Sequence, residues 1–175
     1  MPSQNPWVGQ LLEALGRSNS AGAEAALYVR ERGLRLRIHD QPTAARWTLG
    51  RNIDLHPRYA NGAADSPYAL SLVVHEVVHI KQGLEVALSV YGELEAWQAQ
   101  FSFLRTWGQA FPGAPAQARL IGEMLALPLR LDRSVLRTAR QVMQQYAGRR
   151  YRVDLLPLFP LRRELAFLVL HRLPQ

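Results

Sequence analysis

Apolar residues at the start of the chain recur at three- and four-residue intervals, the spacing that places them on one face of a helix. Between Trp7 and Leu15 this pattern predicts a first helix, and Gly16 is placed to end it. A second helix is predicted from about Ala21 to Arg32. Gly33 follows it, and glycine commonly ends helices because it adopts positive φ angles without strain.

The pattern then changes to alternation. From Leu34 to His39 apolar and polar residues follow one another with a period of two, which is typical of a half-buried strand. The same alternation around Trp47 and again from Ile53 to Leu55 predicts two more strands, with a turn or bulge at 50–52 between them. We therefore expect a small antiparallel sheet.

The remaining two thirds of the chain are mostly helical in pattern. Gly92, just before Glu93 at the start of one predicted helix, would permit a turn. The segment 151–160 is expected to be extended because Pro157 and Pro160 disfavour a helix. We expect an α+β fold, mostly helical, with the small antiparallel sheet packed on the first of five further helices. These five are predicted at about 67–82, 92–107, 116–127, 132–147 (with Asp132 as N-cap) and, amphipathic, 161–171.

Length and composition fit one soluble domain. The chain has 175 residues, 48% of them hydrophobic, which suffices for one core and is short for two. We therefore expect a single domain over 1–175. The N-terminus lacks a basic segment followed by an apolar stretch, and no run reaches the length of a membrane span, so a cytoplasmic location is expected. Because there is no cysteine, any metal must be held by histidine and carboxylate side chains.

Charge is unevenly distributed. The net charge is +7, and all of the excess lies in the last third, 119–175, which has 11 arginines against 4 acidic residues. Such a helical, arginine-rich region can bind nucleic acid or an acidic partner. The alternative is a solvated helical face in a chain that has 20 arginines and one lysine.

The apolar helix predicted at 67–82 contains three polar residues that are costly to bury without partners. His75 and His79 are four residues apart, so both rings leave the same helix face and can reach one metal ion, with Glu76 beside them. This HExxH pattern predicts a zinc site. The alternative is a pair of core histidines hydrogen-bonded to backbone, with Glu76 pointing to solvent.

The next helix offers two carboxylates as a third ligand. In helical phase Glu93 shares a face with Trp97 and Phe101, whereas Glu95 shares one with polar and small residues. Glu93 therefore points inward. We expect Glu93 to be the third ligand, with Glu95 as the alternative.

Three protein ligands leave one position of zinc open, and a metal in such a site lowers the pKa of water towards neutrality. Glu76 is then placed to act as a general base that takes a proton from such a water. A further donor often stabilises the oxyanion that forms. Tyr146, Tyr151 and His171 are candidates for that donor, although the sequence does not show which of them reaches the site.

Together, His75-Glu76-x-x-His79 and Glu93-x-x-Ala96 resemble the gluzincin metallopeptidases. More narrowly, the pattern looks like the small ImmA/IrrE-type metallopeptidases of bacteria and phages, and like the E-x-x-A-D helix of CAAX-processing endopeptidases. The resemblance covers about 71–101. It implies a zincin-like fold, zinc at the two histidines and Glu93, Glu76 as the catalytic base, and the activity of a zinc endopeptidase on protein or peptide substrates.

One position departs from those families. Their members usually have Asp or Asn four residues after the ligand glutamate, where it orients a zinc-binding histidine, and this chain has Trp97 there. Loss of such a contact commonly weakens metal binding or activity. A second hypothesis is therefore a catalytically weak, metallopeptidase-like binding or regulatory protein that uses the basic surface of its last third.

Overall fold

The computed structural model describes residues 5–49, 51–108, 111, 113–148 and 151–172. The chain divides into two compact units, Met1–Val78 with Ala99–Ala110 and His79–Gln98 with Phe111–Gln175. The expectation of a single domain over 1–175 stays a prediction. Within the described ranges the secondary structure is mostly helical with one small sheet, which confirms the α+β class.

The first unit begins with the two predicted helices, α1 (Pro6–Gly16) and α2 (Ser20–Glu31). The side chain of Asn5 accepts a hydrogen bond from the backbone N–H of Trp7, and Asn19 does the same for Gly22. These asparagines satisfy donors that the start of a helix leaves without a backbone partner. Gly33 follows α2 with a φ of 60°, as predicted for a helix stop.

Three strands follow: β1 (Arg35–Ile38), β2 (Ala45–Thr48) and β3 (Asn52–Leu55), arranged in the order β1-β3-β2. The pairing of β2 with β3 is antiparallel, but β1 runs parallel to β3, so the prediction of an antiparallel sheet is wrong for this pair. Alternation identifies strands without specifying their neighbours. The central strand is β3, which is also the most buried of the three. It carries a carboxylate that lies opposite an arginine on each neighbouring strand.

That carboxylate belongs to Asp54, whose side chain is fully buried. Arg37, its partner on β1, places Nε and Nη2 each 2.8 Å from Oδ1. Arg46, its partner on β2, places Nε 3.3 Å from Oδ2. Since a buried carboxylate is tolerated only when it is paired and hydrogen-bonded, these cross-strand contacts favour a central position for β3.

Replacing both Arg37 and Arg46 with methionine should lower the free energy of unfolding by about 3–5 kcal/mol, because Asp54 would stay buried without either cation. Urea denaturation followed by circular dichroism measures the change. Adding Asp54→Asn to the double variant removes the buried charge and should recover part of the loss. A double variant as stable as the wild type would contradict this account of the sheet.

Two helices carry the residues singled out by the HExxH pattern: α4 (Pro67–Ala87), which follows the short helix α3 (Pro57–Ala60), and α5 (Val90–Thr106). Gly83 interrupts α4 with φ 73° and ψ 166°, which agrees with the helix end predicted there. Gly92 lies inside α5 rather than in a turn before it, so that expectation is wrong. A Cβ at Gly92 would lie 2.1 Å from the carbonyl oxygen of Val86, so this position needs glycine for close backbone approach.

The second unit contains α6 (Pro115–Ala126), α7 (Arg133–Ala147) and α8 (Leu161–Arg172), close to the predicted bounds. Asp132 is the N-cap of α7, as predicted: its Oδ1 accepts from the backbone N–H groups of Ser134 and Val135. Hydrogen bonds from the Ser134 side chain and these backbone groups lower the pKa of Asp132. On α8, which was predicted to be amphipathic, Leu161 and Leu165 are more than half exposed.

The segment between α7 and α8 is not simply extended as expected. Val153–Leu155 forms a 3-10 turn. Further along, the carbonyl oxygens of Pro157 and Leu158 accept from the backbone N–H groups of Val90 and Tyr91 at 2.8 and 3.3 Å. These contacts satisfy the first donors of α5, a role that the proline positions did not reveal. Among the described residues, no helix combines the length and apolar character needed to cross a membrane.

Candidate metal centre

Helices α4 and α5 bring three potential metal ligands together. His75 and His79 lie one turn apart on α4 and are 3% and 2% exposed. Glu93 comes from the first turn of α5, and its side chain is 13% exposed. One ligand atom from each of the three residues lies within 4.8 Å of the other two. The described part of the chain thus assembles the same three residues that the sequence predicted as a site.

The spacing and chemistry of these donors suit a transition-metal ion. Nε2 of His79 lies 3.6 Å from Oε1 of Glu93. Ligand atoms on a tetrahedral zinc ion, with bonds of about 2.0–2.1 Å, are about 3.3 Å apart. The pair therefore needs only a small contraction to bind one ion. Two imidazoles and one carboxylate also form the donor set that leaves a catalytic zinc an open position.

Glu95, the alternative third ligand, lies outside this cluster. Its Oε2 accepts a hydrogen bond from Nε2 of Gln82 at 2.9 Å. Burial, and then the negative charge of Glu95, raise the pKa of Tyr91 one turn earlier on the helix. Two residues along a helix change the direction of a side chain by about 200°, which explains why only one of the two carboxylates joins the histidines.

Gln82 contacts the cluster and was not identified from the sequence. Its Oε1 lies 3.1 Å from Nδ1 of His79, the ring nitrogen other than Nε2. Its Nε2 donates to the carbonyl oxygen of Gly92 at 3.0 Å as well as to Glu95. Its position three residues after His79 could have identified it, because a helix places side chains at this spacing on neighbouring parts of one face.

Among the three proposed donors, Tyr151 contacts a predicted ligand directly. Its hydroxyl donates to Oε2 of Glu93 at 3.2 Å, and Nε1 of Trp97 lies 3.4 Å from the same hydroxyl oxygen. Tyr146 packs edge-on against Trp97, with ring centroids 5.1 Å apart. The side chain of His171 is outside the described part of the structure.

Trp97 occupies the position at which the similar families have Asp or Asn, and it contacts the tyrosine that donates to Glu93. It is 4% exposed, and its ring also contacts that of Tyr151, with centroids 5.2 Å apart. The indole fills space and holds the tyrosine whose hydroxyl reaches the carboxylate. Two predicted ligands thus have polar partners: Tyr151 contacts Glu93, and Gln82 contacts His79.

Glu76, the predicted base, is on α4 next to His75 and is 5% exposed. The alternative that it points to solvent is therefore wrong. One residue along a helix turns a side chain by about 100°, so Glu76 leaves the helix beside the histidines rather than with them. The Glu76 carboxylate therefore points in a different direction from the two histidine rings.

The chain matches no protein-family model, no curated protein and no solved structure. The resemblance to gluzincin metallopeptidases consequently depends on the motif residues and on the way these residues come together. The zincin-like fold likewise stays a prediction, although the observed α+β class is compatible with it.

Tyr151→Phe should weaken zinc binding by roughly tenfold, because the Glu93 carboxylate would lose a hydrogen bond that orients it while the ring contact with Trp97 remained. Competition with a chromophoric chelator measures the affinity. Tyr59→Phe is the matched control, since it removes a hydroxyl that accepts from Arg58 instead. Equal zinc affinity in Tyr151→Phe and the control would show that the Tyr151 hydroxyl does not orient Glu93.

Proposed function

We propose that this protein is a zinc-dependent peptidase that hydrolyses internal bonds of protein or peptide substrates. The observation that carries the proposal is the convergence of His75, His79 and Glu93 within 4.8 Å, with the buried Glu76 beside the first histidine. A structural metal site has no need of a carboxylate next to its ligands. This carboxylate is the feature that favours hydrolysis over metal storage or simple structural support.

A zinc ion in this site would supply Lewis acidity, which acidifies water and polarises a peptide carbonyl group. Glu76 then takes one proton from the attacking water as its oxygen bonds to the carbonyl carbon. The same carboxyl group delivers that proton to the amide nitrogen, so that the C–N bond breaks and a neutral amine leaves.

Glu76→Gln should abolish hydrolysis, by at least about 1,000-fold, because glutamine cannot accept the proton. The variant should still bind about one zinc ion per chain, since the proposed ligands are unchanged. Hydrolysis of an unfolded protein substrate, followed by mass spectrometry of the products, measures activity, and elemental analysis measures metal. Equal cleavage by the wild type and the variant would contradict the mechanism.

Glu93→Ala should remove bound zinc, because two histidines alone hold the ion weakly, whereas Glu95→Ala should keep about one zinc per chain when zinc is in excess. Elemental analysis after removal of free metal distinguishes the two. The paired substitutions share one helix and one side-chain type, so a general loss of helix stability would affect both. Zinc loss in Glu95→Ala alone would assign the third ligand to Glu95.

The second candidate is a metal-binding protein of low catalytic activity that recognises nucleic acid or an acidic partner. The basic last third supports it: Arg130 and Arg137 are exposed, and the region has an excess of positive charge. Trp97, at the position where the similar families usually have Asp or Asn, supports it too. Zinc binding by the wild type without hydrolysis of any protein substrate would favour this candidate over the peptidase.

A further inference from the structure

We propose that Gln82 is a positioning residue that fixes the tautomer of His79 and thereby directs a nitrogen lone pair of this ring at the metal. The inference deepens the proposed function and rests on it, because it assumes that the cluster binds a metal ion. In the families with a similar motif, an Asp or Asn orients a zinc-binding histidine. The inference gives this role to a residue on the HExxH helix itself.

The orientation of the Gln82 amide follows from its neighbours. The carbonyl oxygen of Gly92 can only accept a hydrogen bond, and the atom of Gln82 that faces it at 3.0 Å must therefore be the NH₂ group. A flipped amide would place two oxygens against each other. Glu95 confirms the assignment, because its carboxylate oxygen at 2.9 Å is an acceptor as well.

With the NH₂ group committed to these two acceptors, Oε1 of Gln82 is the atom that faces Nδ1 of His79, at 3.1 Å. Oε1 can only accept, so Nδ1 must carry a proton. In a neutral imidazole, the form that binds metal, the other nitrogen then has the free lone pair. That nitrogen, Nε2, is the one that lies 3.6 Å from the Glu93 carboxylate.

The chain of contacts also holds two helix ends together. Gln82 is the last residue of α4 before the interruption at Gly83, and Gly92 and Glu95 belong to the first turns of α5. A single amide thus ties the ring of one proposed ligand to the helix turn that carries another, Glu93. Partners of this kind commonly change metal affinity by 10- to 100-fold.

The test compares Gln82→Met with Gln98→Met. Methionine keeps the length of the side chain and removes the amide. Gln98 is a matched control because its amide also joins two segments, donating to the carbonyl oxygens of Met124 and Leu127 at 2.7 Å, and neither partner belongs to the metal cluster. Zinc dissociation constants and unfolding curves of the metal-free proteins are measured for the wild type and both variants.

We expect the zinc dissociation constant of Gln82→Met to rise by roughly 10- to 100-fold and that of Gln98→Met to stay within about twofold of the wild type. Both variants should lose stability, since each loses hydrogen bonds of the same kind. A Gln82→Met protein that binds zinc as tightly as the control overturns the inference, whereas a wild type that binds no zinc overturns the proposed function itself.

A measurement on the unaltered protein keeps the inference testable even if Gln82→Met does not fold. Long-range nitrogen–proton NMR correlations report the tautomer of each histidine in the metal-free chain at alkaline pH, where imidazole is neutral. The expected result is a proton on Nδ1 of His79. A proton on Nε2 instead would overturn the inference, whether or not the site binds zinc.

Discussion

His75, Glu76 and His79 are at most 5% exposed on a helix that is otherwise largely apolar. Removing such groups from water is unfavourable unless hydrogen bonds or a metal ion replace the lost hydration. For His79 two groups provide such contacts. The amide oxygen of Gln82 lies near Nδ1 of the ring, and the carboxylate of Glu93 lies near Nε2. The close approach of the Gly92 backbone on α5 to Val86 on α4 accompanies these contacts.

The same requirement explains the sheet. Asp54 is as deeply buried as any residue of the core, and its two arginine partners come from the strands on either side. In both places a carboxylate organises the segments around it, since the energetic penalty of leaving it unpaired exceeds that of most single changes in packing. The partners differ between the two places. Asp54 is paired with two arginines, whereas Glu93 lies near two histidines, which are suited to bind a metal ion.

Local patterns predicted the helices well, because periodicity, N-caps such as Asp132 and stops such as Gly33 act within a few residues. They also selected Glu93 over Glu95, since helical phase alone separates the directions of the two side chains. Patterns failed where the outcome depends on distant residues. The parallel pairing of β1, the contact of Tyr151 with Glu93 and the capping of α5 by 157–158 each join segments that no local spacing connects.

Tyr151 is 58 residues beyond Glu93 in the chain, and the carbonyl groups that cap α5 come shortly after it. Because a ribosome makes the chain from its N-terminus, all three proposed ligands emerge well before the segment that supports one of them. A nascent chain would therefore carry the histidines and the glutamate without the tyrosine that donates a hydrogen bond to the glutamate. The order of synthesis itself would keep the site incomplete until Tyr151 has also been made.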